Sequence, residues 1–285
     1  MSDIRDRTDE VVISPAALAA ALGSEAPPVV LDVRWRLDRP DRRSDHASGH
    51  IPGAVYVDLD HDLADHGAPA TEGRHPLPST AHLQAAARSW GISEGDAVVV
   101  ADDLNGMSAA RAWWLLRAAG LADVRILDGG LSAWRAAGLP LEEGSVVPVP
   151  GDVVLTSGAL PTVDLDEVAA FAASGMLIDA RASERYRGDV EPIDPRAGHI
   201  PGAVNRPTTQ NVVAGAGFKP AAELRAEFEA LGVRTDVPTA VYCGSGVTAA
   251  HQIAALTIAG FDAALFPGSW SQWSNHPDRP VATGD

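Results

Sequence analysis

The chain has 285 residues, which at roughly 100–200 residues per domain predicts about two domains. Its composition, 46% hydrophobic and 21% charged, excludes wholesale disorder. A formal net charge of −16 disfavours nucleic acid and anionic membranes as partners, because both require a basic surface. The charged N-terminus lacks an apolar signal segment, and no run approaches the roughly 18 apolar residues of a membrane helix, so we expect a cytoplasmic protein.

Short apolar runs alternate with helical patterns along the first half. Ser14 and Pro15 predict the start of a helix, with the serine as N-cap and the proline at the first helical position. A second helix is predicted over residues 108–119, ending before Gly120. The predicted buried strands of this half are 29–33, 97–101 and 124–127.

The second half shows the same alternation. A helix is predicted after Pro220 and ends at Gly232. The strands that correspond to those of the first half are 176–179, 239–242 and 263–266. Strands that alternate with helices indicate βαβ units, and therefore an α/β fold in which a mainly parallel sheet has helices on both faces.

One heptapeptide, Gly-His-Ile-Pro-Gly-Ala-Val, occurs twice, at residues 49–55 and 198–204. Three further segments repeat in the same order around these copies, which indicates a duplicated domain. A stretch rich in proline and glycine separates the two copies. We predict a first domain over residues 1–143, an extended linker over 144–157 and a second domain over 158–285.

Cys243 is the one cysteine of the chain, so an intramolecular disulfide is excluded. It follows a predicted strand and begins the sequence Cys-Gly-Ser-Gly-Val-Thr, which leads into a helix. A glycine-rich turn between a strand and a helix can point several backbone N–H groups at one anion. Cys243 is therefore a candidate nucleophile that requires no metal and no cofactor. The alternative is a small, buried apolar residue.

The cysteine loop and the two Gly-His-Ile-Pro-Gly-Ala copies together resemble the two-domain rhodanese sulfurtransferases, over about residues 11–285. At the position after the cysteine, the uncharged Gly244 resembles the 3-mercaptopyruvate branch of this family. The thiosulfate-preferring branch usually carries a basic residue at that position. The resemblance implies two tandem rhodanese-like domains, each a mainly parallel sheet flanked by helices, of which the second is catalytic. The first-half loop has Asp102 and Asp103 where a cysteine would fall, which independently predicts a silent first domain.

The resemblance also implies the reaction. Sulfur would pass from 3-mercaptopyruvate, through a persulfide on Cys243, to cyanide or to a thiol acceptor such as a thioredoxin-like protein. Thiosulfate is the alternative donor, and a non-catalytic sulfur carrier or protein-binding module is the alternative class. A cysteine phosphatase is disfavoured because Ala249 stands where its Cys-x5-Arg loop requires arginine.

Both donors are small anions, so the acidic chain must concentrate positive charge at the site. The resemblance assigns the donor carboxylate to Arg185, whose alternative role is a surface ion pair with Glu184 or Asp189. Arg196 is the nearest match to a second donor-binding arginine, although its spacing differs and Asp194 stands near the expected place. The loop residues expected around the donor are Gly244, Gly246, Val247 and Thr248.

A proton relay is also implied for the 3-mercaptopyruvate branch. Its members would be Ser245, His50 and either Asp45 or Asp41, and it would protonate the enolate that leaves as pyruvate forms. His199 occupies the same place in the second heptapeptide copy. Both histidines therefore have an alternative role, which is to fix the turn through a side-chain to backbone hydrogen bond.

Overall fold

Each half of the chain forms its own parallel β-sheet in a computed structural model, which describes residues 5–213 and 215–285. The first sheet has the strand order β1-β5-β4-β2-β3, and every neighbouring pair in it is parallel. Its strands are β1 (Val12–Ile13), β2 (Val29–Asp32), β3 (Val55–Tyr56), β4 (Val98–Ala101) and β5 (Val124–Leu127).

The second sheet repeats this plan with the order β11-β10-β6-β7, again all parallel. A single bridge from Thr162 to Leu265 extends it at the edge where β1 extends the first sheet. A small antiparallel hairpin, β8–β9, is added in this half. The strands are β6 (Met176–Asp179), β7 (Val204–Asn205), β8 (Val212–Val213), β9 (Gly217–Phe218), β10 (Thr239–Tyr242) and β11 (Ala264–Leu265).

Seven α-helices accompany the first sheet within the described residues, and one 3-10 turn spans Ala70–Glu72. The predicted cap of the second helix is confirmed, because the Ser14 hydroxyl accepts a hydrogen bond from the Ala17 N–H at 3.2 Å and Pro15 follows as the first helical residue. The helices are α1 (Thr8–Val11), α2 (Pro15–Leu22), α3 (Arg43–Ala47), α4 (Leu59–Asp62), α5 (Thr80–Ser89), α6 (Ala109–Ala118) and α7 (Gly130–Ala136).

Five α-helices accompany the second sheet in the described part of the chain, with a 3-10 turn at Thr208–Asn211. The predicted end of α10 is confirmed, because Gly232 follows its last residue with a φ of 105°, a left-handed conformation that favours glycine. The helices are α8 (Glu167–Ser174), α9 (Ser183–Arg187), α10 (Ala221–Leu231), α11 (Val247–Ile258) and α12 (Ser269–Ser274).

The two halves share their largest apolar cluster. Helices α6 and α11, which follow the equivalent loops of the two halves, pack against each other, and residues such as Trp114 and Ile253 join one continuous core. Between Ala136 and Glu167 the chain forms no helix or strand, but Val153 and Leu155 in this segment are buried. None of the helices in the described residues is both long and apolar enough to cross a membrane.

Candidate active site

Cys243 lies directly after β10, at the carboxyl end of a central strand, and 1% of its surface is exposed. The Gly246 N–H donates to its Sγ atom at 3.2 Å. Gly246 has a φ of 79°, and a Cβ atom there would lie 2.5 Å from the Pro267 carbonyl oxygen. Only glycine fits this position, which turns the backbone N–H toward the sulfur.

The first residues of helix α12 fix the backbone of the cysteine loop. The Cys243 N–H donates to the Ser269 hydroxyl at 3.2 Å, and the Trp270 N–H donates to the Cys243 carbonyl at 3.0 Å. The Ser271 N–H then donates to the Gly244 carbonyl at 2.8 Å. These bonds hold the loop in one conformation, which a preorganised anion site requires.

A cavity of about 310 Å³ opens over Cys243 between the two halves of the chain. The second half contributes most of the residues that were predicted to surround a donor. Gly246 does not line the cavity, although its N–H contacts the sulfur. The first half contributes Trp35, Leu37, Arg74 and Met107. The predicted site residues that line the cavity are Arg185, Cys243, Gly244, Ser245, Val247 and Thr248.

The partner of Ser245 is His75, a residue that the sequence did not single out. Its Nδ1 lies 2.8 Å from the Ser245 hydroxyl, and its Nε2 lies 3.1 Å from an oxygen of Asp60. Burial lowers the pKa of His75 more than the bond to Asp60 raises it, so the ring is neutral at neutral pH. Burial is the largest effect on Asp60 and opposes its ionisation, but the interactions with His75 and the hydrogen bond from Trp35 together outweigh it and lower the pKa of this carboxyl.

These states define the direction of the hydrogen bonds. Ionised Asp60 can only accept, so the proton of the neutral ring is on Nε2, and Nδ1 accepts from the Ser245 hydroxyl. The arrangement is that of a Ser-His-Asp triad, with the serine in the second domain and the other two residues in the first. The indole N–H of Trp35 donates to the same Asp60 oxygen at 3.0 Å and keeps the carboxylate in place.

The structure does not bring His50 to Ser245, although the sequence predicted that the two residues meet. This residue is fully buried in the heptapeptide turn, where its Nδ1 donates to the His46 carbonyl at 2.8 Å and its backbone pairs with Glu142. His199 repeats this arrangement, since its Nδ1 donates to the Tyr186 carbonyl at 2.8 Å and its backbone pairs with Ala282. Both histidines therefore fix turns, and His50 makes no contact with Ser245.

The aspartates proposed as partners of His50 are engaged elsewhere. Asp45 pairs with Arg39 at 3.0 Å and with Arg42, and the Arg42 hydrogen bond lowers the pKa of this carboxyl. Asp41 accepts from the Arg43 N–H at 3.0 Å at the start of α3. These are local contacts of the α3 region, and the structure does not bring Asp45 or Asp41 together with His50 and Ser245 as the predicted relay requires.

The two predicted donor-binding arginines have different environments. Arg185 lines the cavity and is held by Glu191 at 2.6 Å and Asp194 at 3.1 Å. Arg196 points away and donates to four backbone carbonyls at and after the end of α12. It therefore holds the C-terminal segment in place, and it does not line the cavity over Cys243 where the prediction put it.

A buried cation from the first half lies beneath the cysteine loop. Arg111, on α6, is fully buried and donates to the carbonyls of Leu63, His75 and Pro76, and to that of Gly246 at 3.3 Å. Burial lowers its pKa to about 10, against the attraction of the Cys243 sulfur, which raises it. The guanidinium thus remains charged at neutral pH and places positive charge near that sulfur.

The equivalent loop of the first half is filled by its own carboxylate. Asp102 follows β4 as Cys243 follows β10, and it accepts four backbone N–H bonds of 2.8–3.0 Å. The donors are Leu104, Gly106, Ser108 and Ala109. The first domain has kept the anion cradle but has no space in it for a substrate.

Comparisons with known proteins cover both halves of the chain. A family model described as a rhodanese-like domain matches residues 14–137 and again residues 164–276. A putative thiosulfate sulfurtransferase of Mycobacterium tuberculosis is 49% identical over 278 residues, 96% of this chain and 98% of that protein. A probable 3-mercaptopyruvate sulfurtransferase of Pseudomonas aeruginosa is 45% identical over 280 residues, 96% of this chain and 98% of that protein.

Solved structures are similar over the same extent. The crystal structure of a 3-mercaptopyruvate sulfotransferase from Escherichia coli has a TM-score of 0.80 and 35% identity, covering 91% of this chain and 98% of that one. The 3-mercaptopyruvate sulfurtransferase from Leishmania major has a TM-score of 0.83 and 30% identity, covering 95% of this chain and 76% of that one.

Proposed function

Because the chain belongs to the two-domain rhodanese-type sulfurtransferases, we propose that it transfers sulfur from 3-mercaptopyruvate to a thiol or to cyanide through a persulfide on Cys243. One observation carries the choice of donor. The cavity over Cys243 combines the Ser245–His75–Asp60 triad with Arg185, and so offers a proton source and a carboxylate partner together. Of the two candidate donors, only 3-mercaptopyruvate uses both.

In the first step, the Cys243 thiolate attacks the sulfur of 3-mercaptopyruvate. A sulfur–sulfur bond forms, the carbon–sulfur bond breaks, and its electron pair remains on carbon as the enolate of pyruvate. The Gly246 N–H and the buried Arg111 guanidinium favour negative charge on the Cys243 sulfur before and after the step. Arg185 would hold the donor carboxylate while the bond breaks.

The enolate then needs a proton at carbon. The Ser245 hydroxyl would supply it, and the serine oxygen would take up a proton from solvent in return. His75, whose orientation Asp60 fixes, holds this hydroxyl in position. In the second step an acceptor thiolate, or cyanide, attacks the outer sulfur of the persulfide, and Cys243 leaves as a thiolate. A small thiol, or the thiol of a thioredoxin-like protein, has the chemistry required for this acceptor.

Thiosulfate is the second candidate donor, and the name of the Mycobacterium tuberculosis relative favours it. Attack on its outer sulfur releases sulfite, which carries away the electron pair and needs no proton on carbon. The triad would then be dispensable. The dependence on His75 therefore distinguishes the two donors.

Steady-state turnover of both donors with cyanide tests the proposal. We expect a higher kcat/KM for 3-mercaptopyruvate than for thiosulfate, and intact-mass measurement after donor treatment should show one extra sulfur per chain. Cys243→Ser should show neither the added sulfur nor turnover. A preference for thiosulfate would refute the donor assignment, and added sulfur on Cys243→Ser would refute the mechanism.

A further inference from the structure

Ser269, the first residue of α12, has a backbone conformation that is unfavourable for its residue type. Its φ is 54°, and Asn105 is the one other residue apart from glycine with a positive φ in the described part of the chain. In this left-handed region the Cβ atom crowds the following carbonyl oxygen, which glycine avoids and asparagine tolerates better than serine does. The Ser269 side chain is fully buried, so the reason for a serine here lies in its contacts within the protein.

The first copy of the domain makes the same turn with a glycine. Gly130 stands where the second copy has Ser269, since each follows a glycine in the last repeated segment, and its φ is 58°. In both copies the next N–H donates to the carbonyl of the loop residue that follows the strand. The distance is 2.7 Å to Asp102 in the first copy and 3.0 Å to Cys243 in the second. The turn itself therefore requires no side chain at this position.

The hydroxyl of Ser269 joins the ends of two neighbouring strands at the nucleophile. It accepts from the Cys243 N–H at 3.2 Å and donates to the Phe266 carbonyl at 2.9 Å. Cys243 directly follows β10, and Phe266 directly follows β11. No backbone carbonyl of the described residues accepts from the Cys243 N–H, and the hydroxyl takes that place. A side-chain oxygen thus completes the pairing of a buried backbone group beside the reactive sulfur.

This backbone N–H is close to the sulfur in the covalent structure, because only Cα and Cβ separate the Cys243 nitrogen from Sγ. Without the hydroxyl the buried N–H would be unpaired, and the peptide unit before Cys243 would turn toward another acceptor. Such a turn would move Sγ away from the Gly246 N–H, which now donates to it at 3.2 Å. The hydroxyl of Ser269 therefore aims the sulfur, although both of its hydrogen bonds are to backbone groups.

We propose that Ser269 is a positioning residue for Cys243, and that its left-handed conformation is strain that the catalytic copy carries in order to hold the nucleophile. This inference rests on the proposed function for the role of Cys243 in sulfur transfer. Strain of this kind persists at a functional site when the surrounding contacts impose it. Here the two hydroxyl bonds and the Trp270 N–H bond to the Cys243 carbonyl impose it. The first copy has no nucleophile to aim, and its glycine makes the turn without strain.

The test compares the wild type with Ser269→Ala, Ser269→Gly and Ser274→Ala. Ser269→Ala removes the hydroxyl but keeps a Cβ atom in the left-handed conformation, whereas Ser269→Gly removes both the hydroxyl and the strain. Ser274→Ala is the matched control, since it removes a buried hydroxyl of the same helix that donates to the Ser271 carbonyl at 3.5 Å. We measure the unfolding temperature, and kcat and KM for the donor that the wild type uses better.

Both Ser269 variants should lower kcat by about tenfold and change KM by less than about twofold, because a misplaced nucleophile slows the attack without weakening donor binding. Ser269→Gly should unfold about 3 °C above Ser269→Ala, because glycine is unstrained at this φ. Ser274→Ala should keep the wild-type kcat. Wild-type kcat in Ser269→Gly would overturn the proposal, as would a raised KM with unchanged kcat. Equal unfolding temperatures of the two Ser269 variants would overturn the strain.

Amide hydrogen exchange provides a measurement that does not depend on turnover. One amide of the fragment that contains Cys243 should exchange at least about tenfold faster in both Ser269 variants, and at the wild-type rate in Ser274→Ala. If the wild type transfers sulfur from neither donor, the proposed function fails, yet the exchange rates still decide whether Ser269 holds the cysteine backbone. Unchanged exchange in both Ser269 variants would overturn that role.

Discussion

The guanidinium of Arg111 donates to the carbonyl of Gly246 at 3.3 Å, and thereby joins a helix of the first domain to the cysteine loop of the second. A reciprocal contact joins the second domain to the loop of the first: the Nε2 of His251, on α11, lies 3.2 Å from the carbonyl oxygen of Asn105. Each domain thus supports the loop of the other. The site geometry is a property of the pair of domains.

We expect Arg111→Met to destabilise the protein by about 3 kcal/mol, because it removes a buried guanidinium and leaves the buried carbonyls of Leu63 and His75 without this donor. Urea denaturation gives the free energy of unfolding. Arg117→Met, on the same helix, removes a single bond to the Ala122 carbonyl and should cost less than about 1 kcal/mol. Equal losses in the two variants would contradict the supporting role of Arg111.

His75→Ala should lower kcat for 3-mercaptopyruvate by about 100-fold, the usual scale of a general acid–base contribution, and kcat for thiosulfate by much less. The reason is that only the first donor leaves an enolate that must be protonated. Steady-state kinetics with both donors provide the measurement.

His50→Ala is the matched control, since it removes a buried histidine that contacts the His46 carbonyl instead of Ser245. It should affect the two donors equally and act mainly through stability. A donor-selective effect of His50→Ala, or an equal effect of His75→Ala on both donors, would contradict this assignment.

His251 should make stability depend on pH in the acid range. Burial lowers its pKa from 6.5 to about 4, so below pH 6.5 the unfolded chain takes up a proton that the folded chain does not. The free energy of unfolding therefore decreases as pH falls from 6.5 toward 4. His251 accounts for a decrease of about 2 kcal/mol between pH 7 and pH 5. Urea denaturation at both values should show a smaller loss for His251→Gln than for the wild type. Identical losses would mean that His251 is protonated in the folded state.

Much of the fold followed from local signals in the sequence. The repeated heptapeptide indicated the duplication, and the predicted fold class of two tandem rhodanese-like domains is confirmed by the family match to each half. The strand before Cys243 and the glycine turn after it were also readable, because strand ends and positive-φ glycines are properties of a few consecutive residues.

The contacts of Arg74 and His75 across the domain boundary could not be predicted in the same way. Arg74 and His75 lie in the sequence Gly-Arg-His-Pro-Leu-Pro, an irregular loop with no periodic pattern. Their partners, Asp194 and Ser245, are 120 and 170 residues away along the chain, and only the packing of the two domains brings them together. His50 was assigned from the family resemblance, whereas the repetition of its motif pointed to the alternative role, a structural turn present in both domains.

The carboxylate that fills the first-domain cradle suggests how the two copies divided their tasks after duplication. Asp102 fills its loop with a carboxyl group whose four backbone N–H bonds favour the anion, although burial raises its pKa. The Cys243 loop of our mechanism carries one negative charge as thiolate and again as persulfide. The Cys243 loop thus has the same net charge before and after sulfur is loaded, so the surrounding dipoles need not reorient between the two half-reactions. The equivalent loop therefore holds a carboxyl group of the protein itself in the first domain and the reactive sulfur in the second.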